Sequence, residues 1–232
     1  MKKLSGIKAI FFDIDDTLFP STEFAELARR NAIRAMIEAG LDTNFDSALS
    51  RLKSIVKKHG SNYSNHLDEL VASFGHKKDY KIIAAGIAAY HNTKSSIMPF
   101  PETPRTLFAL RDSGFKIYAA TNGNALKQWD KLIRLGLYLL FEEVFVSEEV
   151  GVEKSSSFYK KILKKLKLNP EEAVMVGDRP DKDILAAKSA GMKTIRIIKG
   201  KHAKKKSSAD FEIKSLDAII NLLAHNKFGH KK

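Results

Sequence analysis

The chain has 232 residues, of which 44% are hydrophobic and 29% are charged, a composition typical of a globular protein with one large or two small domains. It contains no cysteine, so disulfides, thiolate nucleophiles and zinc–thiolate sites are excluded. No apolar stretch approaches the roughly 18 residues that a membrane-spanning helix needs, and we therefore expect a cytoplasmic protein without a membrane partner.

The first predicted element is a buried strand over residues 8–14, because the run "KAIFFDI" is short, apolar and aromatic. From residue 20 to residue 97 the apolar residues recur at helical spacing, and no convincing strand interrupts them. This segment is predicted to be an all-helical insert that begins at an N-cap formed by Ser21 or Thr22. Its later helices are expected at 43–59, 64–74 and 79–93.

From residue 98 onward, a helix that ends near Gly114 is followed by alternating strands and helices. The strands are expected at 115–121, 143–147, 173–177, 193–199 and 209–213, with helices at 125–136, 155–168, 181–191 and 215–226 between and after them. Such alternation predicts an α/β fold with a doubly wound, mostly parallel, Rossmann-like sheet. We assign the catalytic core to residues 1–19 and 98–232, and the inserted helical cap domain to residues 20–97.

Polar side chains follow three of the predicted strands, and a lysine opens the helix predicted after the strand 143–147. Ligands of open parallel sheets bind at the carboxyl ends of the strands, so these side chains are expected at one edge of the sheet. The candidate site residues are Asp13, Asp15, Thr121, Asn122, Lys154, Asp178 and Asp183.

Three of these residues, Asp13, Asp15 and Asp178, would crowd negative charge, which opposes ionisation unless a cation joins them. No histidine or cysteine accompanies the carboxylates, and oxygen ligands favour Mg²⁺, which also binds phosphate oxygens. Lys154 and Thr121 could then hold an anion. A carboxylate beside a metal-bound phosphate can attack phosphorus to form an aspartyl-phosphate, and a second aspartate can protonate the leaving alcohol and then activate water.

The segments "DIDDT", "TNG", Lys154 and "GDRPDKD" resemble, in order and spacing, the four motifs of the haloacid dehalogenase superfamily. They are most similar to the motifs of its phosphatase members, and the helical insert between the first and second motifs resembles their cap domain. The resemblance covers nearly the whole chain. It implies an enzyme that hydrolyses a small phosphorylated metabolite with the help of Mg²⁺.

The resemblance also implies a role for each matching residue. Asp13 corresponds to the nucleophile and Asp15 to the general acid and base. Thr121 corresponds to the hydroxyl that binds the phosphate, with Asn122 beside it. Lys154 corresponds to the lysine that steadies both the nucleophile and the phosphate.

The metal site implied by the resemblance consists of Asp13, Asp178, Asp183 and the backbone carbonyl of Asp15. Asp178 corresponds to a direct ligand and Asp183 to the acidic residue that holds the metal's waters, although Asp181 is an alternative for the second role. Asp16, by contrast, is interpreted as a residue that stabilises a turn or caps a helix.

Three alternatives remain open from the sequence. Two are enzymes of the same fold, a phosphosugar mutase and a 2-haloacid dehalogenase, and the presence of Asp15 disfavours the dehalogenase. The third is a basic nucleic-acid-binding protein, since the net charge is +13 and residues 199–206 form a basic run. We expect that run to be a solvated loop and do not expect a nucleic-acid partner. A homodimer is the default expectation, and the residues that select the substrate are expected in the cap.

Overall fold

The computed structural model describes residues 4–61 and 63–223 of the chain. The chain divides into two compact units, with boundaries after Thr22 and before Met98. The segment Glu23–Ile97 forms one unit, and the segments on either side of it form the other. Within the described ranges, no helix has the length and apolar character required to cross a membrane.

The unit formed by the two outer segments contains a six-stranded sheet in which every pair of neighbouring strands is parallel. Its strand order is β3-β2-β1-β4-β5-β6, so that β1 lies at the centre and pairs with both β2 and β4. This order confirms the predicted α/β class with a doubly wound parallel sheet. The strands are β1 Ala9–Phe12, β2 Lys116–Thr121, β3 Glu143–Val146, β4 Ala173–Gly177, β5 Lys193–Ile197 and β6 Phe211–Ile213.

The helices follow the order expected from the sequence, with five of them before β2. They are α1 Ser21–Glu38, α2 Phe45–His59, α3 His66–Ala72, α4 Tyr80–Lys94, α5 Thr103–Asp112, α6 Ala125–Arg134, α7 Ser147–Val150, α8 Ser156–Leu166, α9 Ala186–Lys188 and α10 Ala218–Leu222. A π-helical segment, Pro180–Leu185, precedes α9, and short 3₁₀ turns occupy Tyr138–Leu140, Pro170–Glu172 and Gly200–His202.

One face of the sheet packs on α8 and α9 through an aromatic cluster. Phe11 is fully buried on β1, and its ring stacks on that of Tyr118 with centroids 4.9 Å apart. The ring of Phe145 lies 6.3 Å from the Phe11 ring and extends the cluster to β3. Because successive side chains of a strand point to opposite faces, Ile10 and Phe12 are buried on the other face of the sheet. The central strand is therefore held rigidly on both sides.

The helical unit has its own apolar core, which explains why it forms a separate compact body. The buried side chains include Ile33, Met36, Leu49, Leu52, Leu70, Val71, Ile82 and Ile83, contributed by four helices. Two of the helices begin with side-chain caps, since Asn44 accepts a hydrogen bond from the backbone N–H of Ser47 and Asp79 accepts one from that of Lys81.

The basic run 199–206 is folded and is anchored to β5 by a buried arginine. The guanidinium of Arg196 donates to the backbone carbonyls of His202, Ala203 and Lys205, and to the carboxylate of Glu212. The side chain of Arg196 is only 2% exposed. The run therefore keeps a defined backbone, because a charged group inside the protein satisfies its carbonyl groups.

The start of α1 differs from the prediction, which placed the N-cap at Ser21 or Thr22. Both residues lie inside the helix, and the cap is supplied from outside it by Asp16. The Asp16 carboxylate accepts hydrogen bonds from the backbone N–H of Thr22 and from the hydroxyl groups of Ser21 and Thr22. Asp16 itself has φ 55°, a left-handed conformation that aspartate tolerates. Its predicted role in a turn and a helix cap is thereby confirmed.

We expect Phe11→Ala to lower the free energy of unfolding by about 3–5 kcal/mol, because it removes a buried ring and leaves a cavity among Tyr118 and Phe145. Phe108→Ala is the matched control, since Phe108 is 53% exposed on α5, and it should change stability by at most about 0.5 kcal/mol. Urea denaturation of both variants measures the difference. Equal losses would contradict this description of the core.

Candidate active site

The centre of the site is the turn that follows β1. The backbone N–H of Asp13 donates to the carbonyl of Val176 at 2.9 Å, which continues the pairing of β1 with β4 by one residue. Asp13 is 6% exposed and therefore lies just beneath the surface at the carboxyl end of the sheet. The sheet thus places the predicted nucleophile where ligands of such folds bind.

A buried ammonium group faces Asp13. The Nζ atom of Lys154 forms an ion pair with Asp13 and a second one, at 2.7 Å, with Asp183. The side chain of Lys154 is 2% exposed, so solvent screens these pairs little. Lys154 was predicted to begin a helix, but α8 begins at Ser156 and is capped by the hydroxyl of Ser155. The lysine therefore belongs to the loop before α8.

The end of β4 contributes two further carboxylates. Asp13, Asp178 and Asp183 are all buried, and each offers an oxygen atom within 4.8 Å of the others. A methyl group at Gly177 would overlap the Asp183 carboxylate, so the absence of a side chain at residue 177 makes room for it. Asp183 also accepts a hydrogen bond from the backbone N–H of Arg179 at 3.0 Å. Both of its oxygens are thus engaged.

Burial, together with neighbouring charges, raises the pKa values of Asp13 and Asp178. Burial raises the pKa of Asp13 to about 7, against the opposing effect of Lys154. Burial, together with the charges of Asp13 and Asp183, raises the pKa of Asp178 to about 9. Although burial acts in the opposite direction, the two paired carboxylates raise the pKa of Lys154 above its usual value, so the lysine is a cation. A further cation would favour the ionised carboxylates.

The three carboxylates fit a divalent metal ion with hard oxygen ligands. Two ligands of one Mg²⁺ lie at most about 4.2 Å apart, and each carboxylate offers an oxygen atom within 4.8 Å of the others. Since both Asp183 oxygens already accept hydrogen bonds, Asp13 and Asp178 are the more accessible ligands of the group. Asp181 lies on the outside of the loop, where its half-exposed side chain pairs with Arg179 at 2.8 Å. The structure therefore brings Asp183, and not Asp181, into the cluster.

The segment "TNG", residues 121–123, also lies at the carboxyl edge of the sheet. Thr121 is the last residue of β2 and is 1% exposed. The side-chain oxygen of Asn122 accepts a hydrogen bond from the backbone N–H of Lys154 at 2.7 Å and so joins the second and third segments. The next backbone N–H, that of Gly123, donates to the hydroxyl of Ser147 at 3.0 Å. Asn122 thus contributes to the position of Lys154.

Asp15 has a partner that the sequence analysis missed. The Nζ atom of Lys131, on α6, lies 2.7 and 2.6 Å from the two oxygens of Asp15. Gln128, on the same helix, donates to the carbonyl of Asn122 at 3.0 Å. Their spacing of three residues was the available signal, because it places both side chains on one face of the helix.

Comparisons with known proteins identify the family to which the chain belongs. The sequence profile of the haloacid dehalogenase-like hydrolases matches residues 7–191. A protein of Methanocaldococcus jannaschii named glyceraldehyde 3-phosphate phosphatase is 46% identical over 225 residues, which cover 95% of this chain and 99% of the relative. A protein of Methanopyrus kandleri with the same name is 50% identical over 200 residues, covering 84% and 86% of the two chains.

Among solved structures, a haloacid dehalogenase-superfamily phosphatase of Thermococcus onnurineus matches with a TM-score of 0.68 and 26% identity, covering 94% of this chain and 99% of that one. The predicted superfamily and the predicted phosphomonoester hydrolase activity are confirmed by these relatives. With a matching profile over most of its length and two close relatives of nearly equal length, the chain belongs to the haloacid dehalogenase-like hydrolases.

Proposed function

We propose that this phosphatase uses Mg²⁺ to hydrolyse glyceraldehyde 3-phosphate through an aspartyl-phosphate on Asp13. The observation that carries the proposal is the buried group in which Lys154 pairs with Asp13 and Asp183, with Asp178 beside them. The substrate is suggested by the relatives of similar length that bear this name. A further member of that group, from Pyrococcus furiosus, is 40% identical over 232 residues.

In this proposal Asp13, Asp178 and the backbone carbonyl of Asp15 hold the Mg²⁺, and Asp183 orients the water molecules around it. When bound, the ion balances the charge of the carboxylates and of the phosphate oxygens. Asp183 suits a supporting role because it already accepts hydrogen bonds from Lys154 and from the N–H of Arg179. The acidic cluster is the observation that supports a metal ion here.

The reaction has two steps. An oxygen of Asp13 attacks phosphorus and forms the aspartyl-phosphate, while Asp15 delivers a proton to the alcohol oxygen as its bond to phosphorus breaks. Asp15 then accepts a proton from water, which attacks phosphorus and regenerates Asp13 with release of phosphate. Lys154 and the hydroxyl of Thr121 bind the phosphate oxygens, on which negative charge is spread in the transition state. Asn122 holds the backbone of Lys154 in place for this contact.

The helical domain predicted at residues 20–97, whose compact part is Glu23–Ile97, is proposed to be the cap that excludes bulk water and selects the substrate. The domain boundaries at residues 19–20 and 97–98 remain part of this proposal, as do a cytoplasmic location and a homodimer.

The names of the relatives favour the phosphatase over the mutase, dehalogenase and nucleic-acid-binding alternatives. A mutase would require a bisphosphate, and a dehalogenase would remain active in a chelator.

We expect Asp13→Asn to lower the Mg²⁺-dependent hydrolysis of p-nitrophenyl phosphate by about a thousandfold or more, because it removes the attacking oxygen. Asp112→Asn, which changes an exposed carboxylate at the end of α5, is the control and should retain activity. Phosphate release is measured with Mg²⁺, with a chelator, and after Mg²⁺ is restored. Activity in Asp13→Asn at the level of the control would show that the nucleophile is a different residue.

Asp183→Asn should reduce kcat by about 10–100-fold and weaken Mg²⁺ binding, because it removes a charge that orders Lys154 and the metal's environment. Asp181→Asn, two residues earlier in the same loop, should stay within about threefold of the parent, since Asp181 lies outside the cluster. Mg²⁺ titrations of activity and calorimetry test both effects. The assignment fails if the two variants behave alike.

The substrate is tested with a panel of glyceraldehyde 3-phosphate, glycerol 3-phosphate, ribose 5-phosphate and AMP. We expect the highest kcat/KM for glyceraldehyde 3-phosphate, because the relatives that share this chain's length bear that name. The comparison is made at equal Mg²⁺ with p-nitrophenyl phosphate as the general reference. If another phosphate of the panel has the highest kcat/KM, the proposed reaction is kept and the proposed substrate is wrong.

A further inference from the structure

Asp15 is held by a residue outside the four motifs. The two oxygens of its carboxylate accept hydrogen bonds from the single ammonium group of Lys131, at 2.7 and 2.6 Å. The two residues lie far apart in sequence, so the contact depends on the packing of α6 against the carboxyl end of β1. A charge-assisted contact from one nitrogen to both oxygens restrains the carboxylate close to α6.

Lys131 is itself held in place. Its Nζ atom lies 3.3 Å from the side-chain oxygen of Gln128 and 5.9 Å from the centre of the Phe19 ring. Phe19 is 3% exposed, and the side chain of Lys131 is 20% exposed, so the ammonium group has restricted freedom. Contacts with Asp15, Gln128 and Phe19 therefore hold the Lys131 side chain in one position, whereas a lysine that extends into solvent samples many.

The same network reaches the phosphate-binding segment. Gln128 is the only glutamine of the chain and is 5% exposed. Its amide nitrogen donates to the backbone carbonyl of Asn122 at 3.0 Å, while its oxygen faces Lys131. The helix begins directly after Asn124, whose side chain caps it by accepting from the N–H of Lys127. One helix face therefore connects the second motif to Asp15.

We propose that Lys131 is a positioning residue that orients Asp15 toward the leaving alcohol, an inference that rests on the proposed function. In the first step, an Asp13 oxygen bonds to phosphorus, and the bond between phosphorus and the alcohol oxygen breaks. The alcohol oxygen retains the electron pair of that bond and takes the proton of the Asp15 carboxyl group, which leaves the carboxylate whose two oxygens accept from Lys131. Proton transfer requires a defined geometry, and Lys131 provides it through two contacts with the carboxylate.

This role depends on the leaving group. An alkyl alcohol is strongly basic as it leaves and needs the proton, whereas p-nitrophenolate is weakly basic and leaves without one. The parameter kcat/KM reports the reaction up to release of the alcohol, and excludes the later hydrolysis of the aspartyl-phosphate. Loss of the positioning residue should therefore lower kcat/KM selectively for alkyl phosphates.

The experiment compares the parent protein with Lys131→Met and with Lys127→Met, which removes an exposed lysine from the same helix. The substrates are p-nitrophenyl phosphate and the alkyl phosphate of the panel that the parent hydrolyses best. For Lys131→Met we expect kcat/KM to fall about 10–100-fold for the alkyl phosphate and less than about threefold for p-nitrophenyl phosphate. Lys127→Met should change neither. Lys131→Gln replaces Lys131→Met if the latter fails to fold.

Equal losses on both substrates, or no loss on either, would overturn the assignment of Lys131. A parent protein that hydrolyses neither substrate in the presence of Mg²⁺ would instead overturn the proposed function, and this inference with it. Thermal unfolding of each variant separates a loss of folded protein from a loss of positioning.

Discussion

The buried group of Lys154 with three carboxylates is the interaction on which the arrangement of the site depends. One ammonium charge cannot balance Asp13, Asp178 and Asp183, and burial makes the imbalance costly. The parallel sheet resolves part of the difficulty, because it brings separate loops to one edge where a cation can be added from solvent. The group is poorly suited to stabilising the fold alone, but well suited to accepting a metal ion and a phosphate.

The sequence was sufficient to predict the parallel sheet and most of the motif residues. Asp13, Asp178 and Asp183 follow strands with an apolar pattern, and the ends of parallel strands necessarily meet. Lys131 and Gln128 could not be predicted in the same way. They lie on an ordinary amphipathic helix, and their partners Asp15 and the carbonyl of Asn122 become neighbours only when that helix packs.

The helix predicted over residues 181–191 shows a different limit of sequence patterns. The chain forms a π-helical segment first, in which the N–H of Ile184 bonds to the carbonyl of Arg179, and only a short α-helix follows. Hydrophobic spacing does not distinguish these helix types over so few residues. The wider turn accompanies a buried Asp183 whose carboxylate accepts from the N–H of Arg179. The π-helical segment therefore occurs where the chain places the Asp183 carboxylate inside the site.

In the basic run 199–206, Gly200 is a position that cannot accept a side chain. Gly200 has φ 61°, and any Cβ there would overlap the carboxylate of Asp16, the residue that caps α1. The lysines at residues 201, 204 and 206 are exposed, and their charges could be exchanged to alter solubility or binding to polyanions. Residue 200 lacks that freedom. If this surface loop were randomised and folded variants were selected, we would expect glycine at residue 200 in nearly all of them. The reason is the carboxylate of Asp16, which lies near the opposite end of the chain and leaves no space for a side chain.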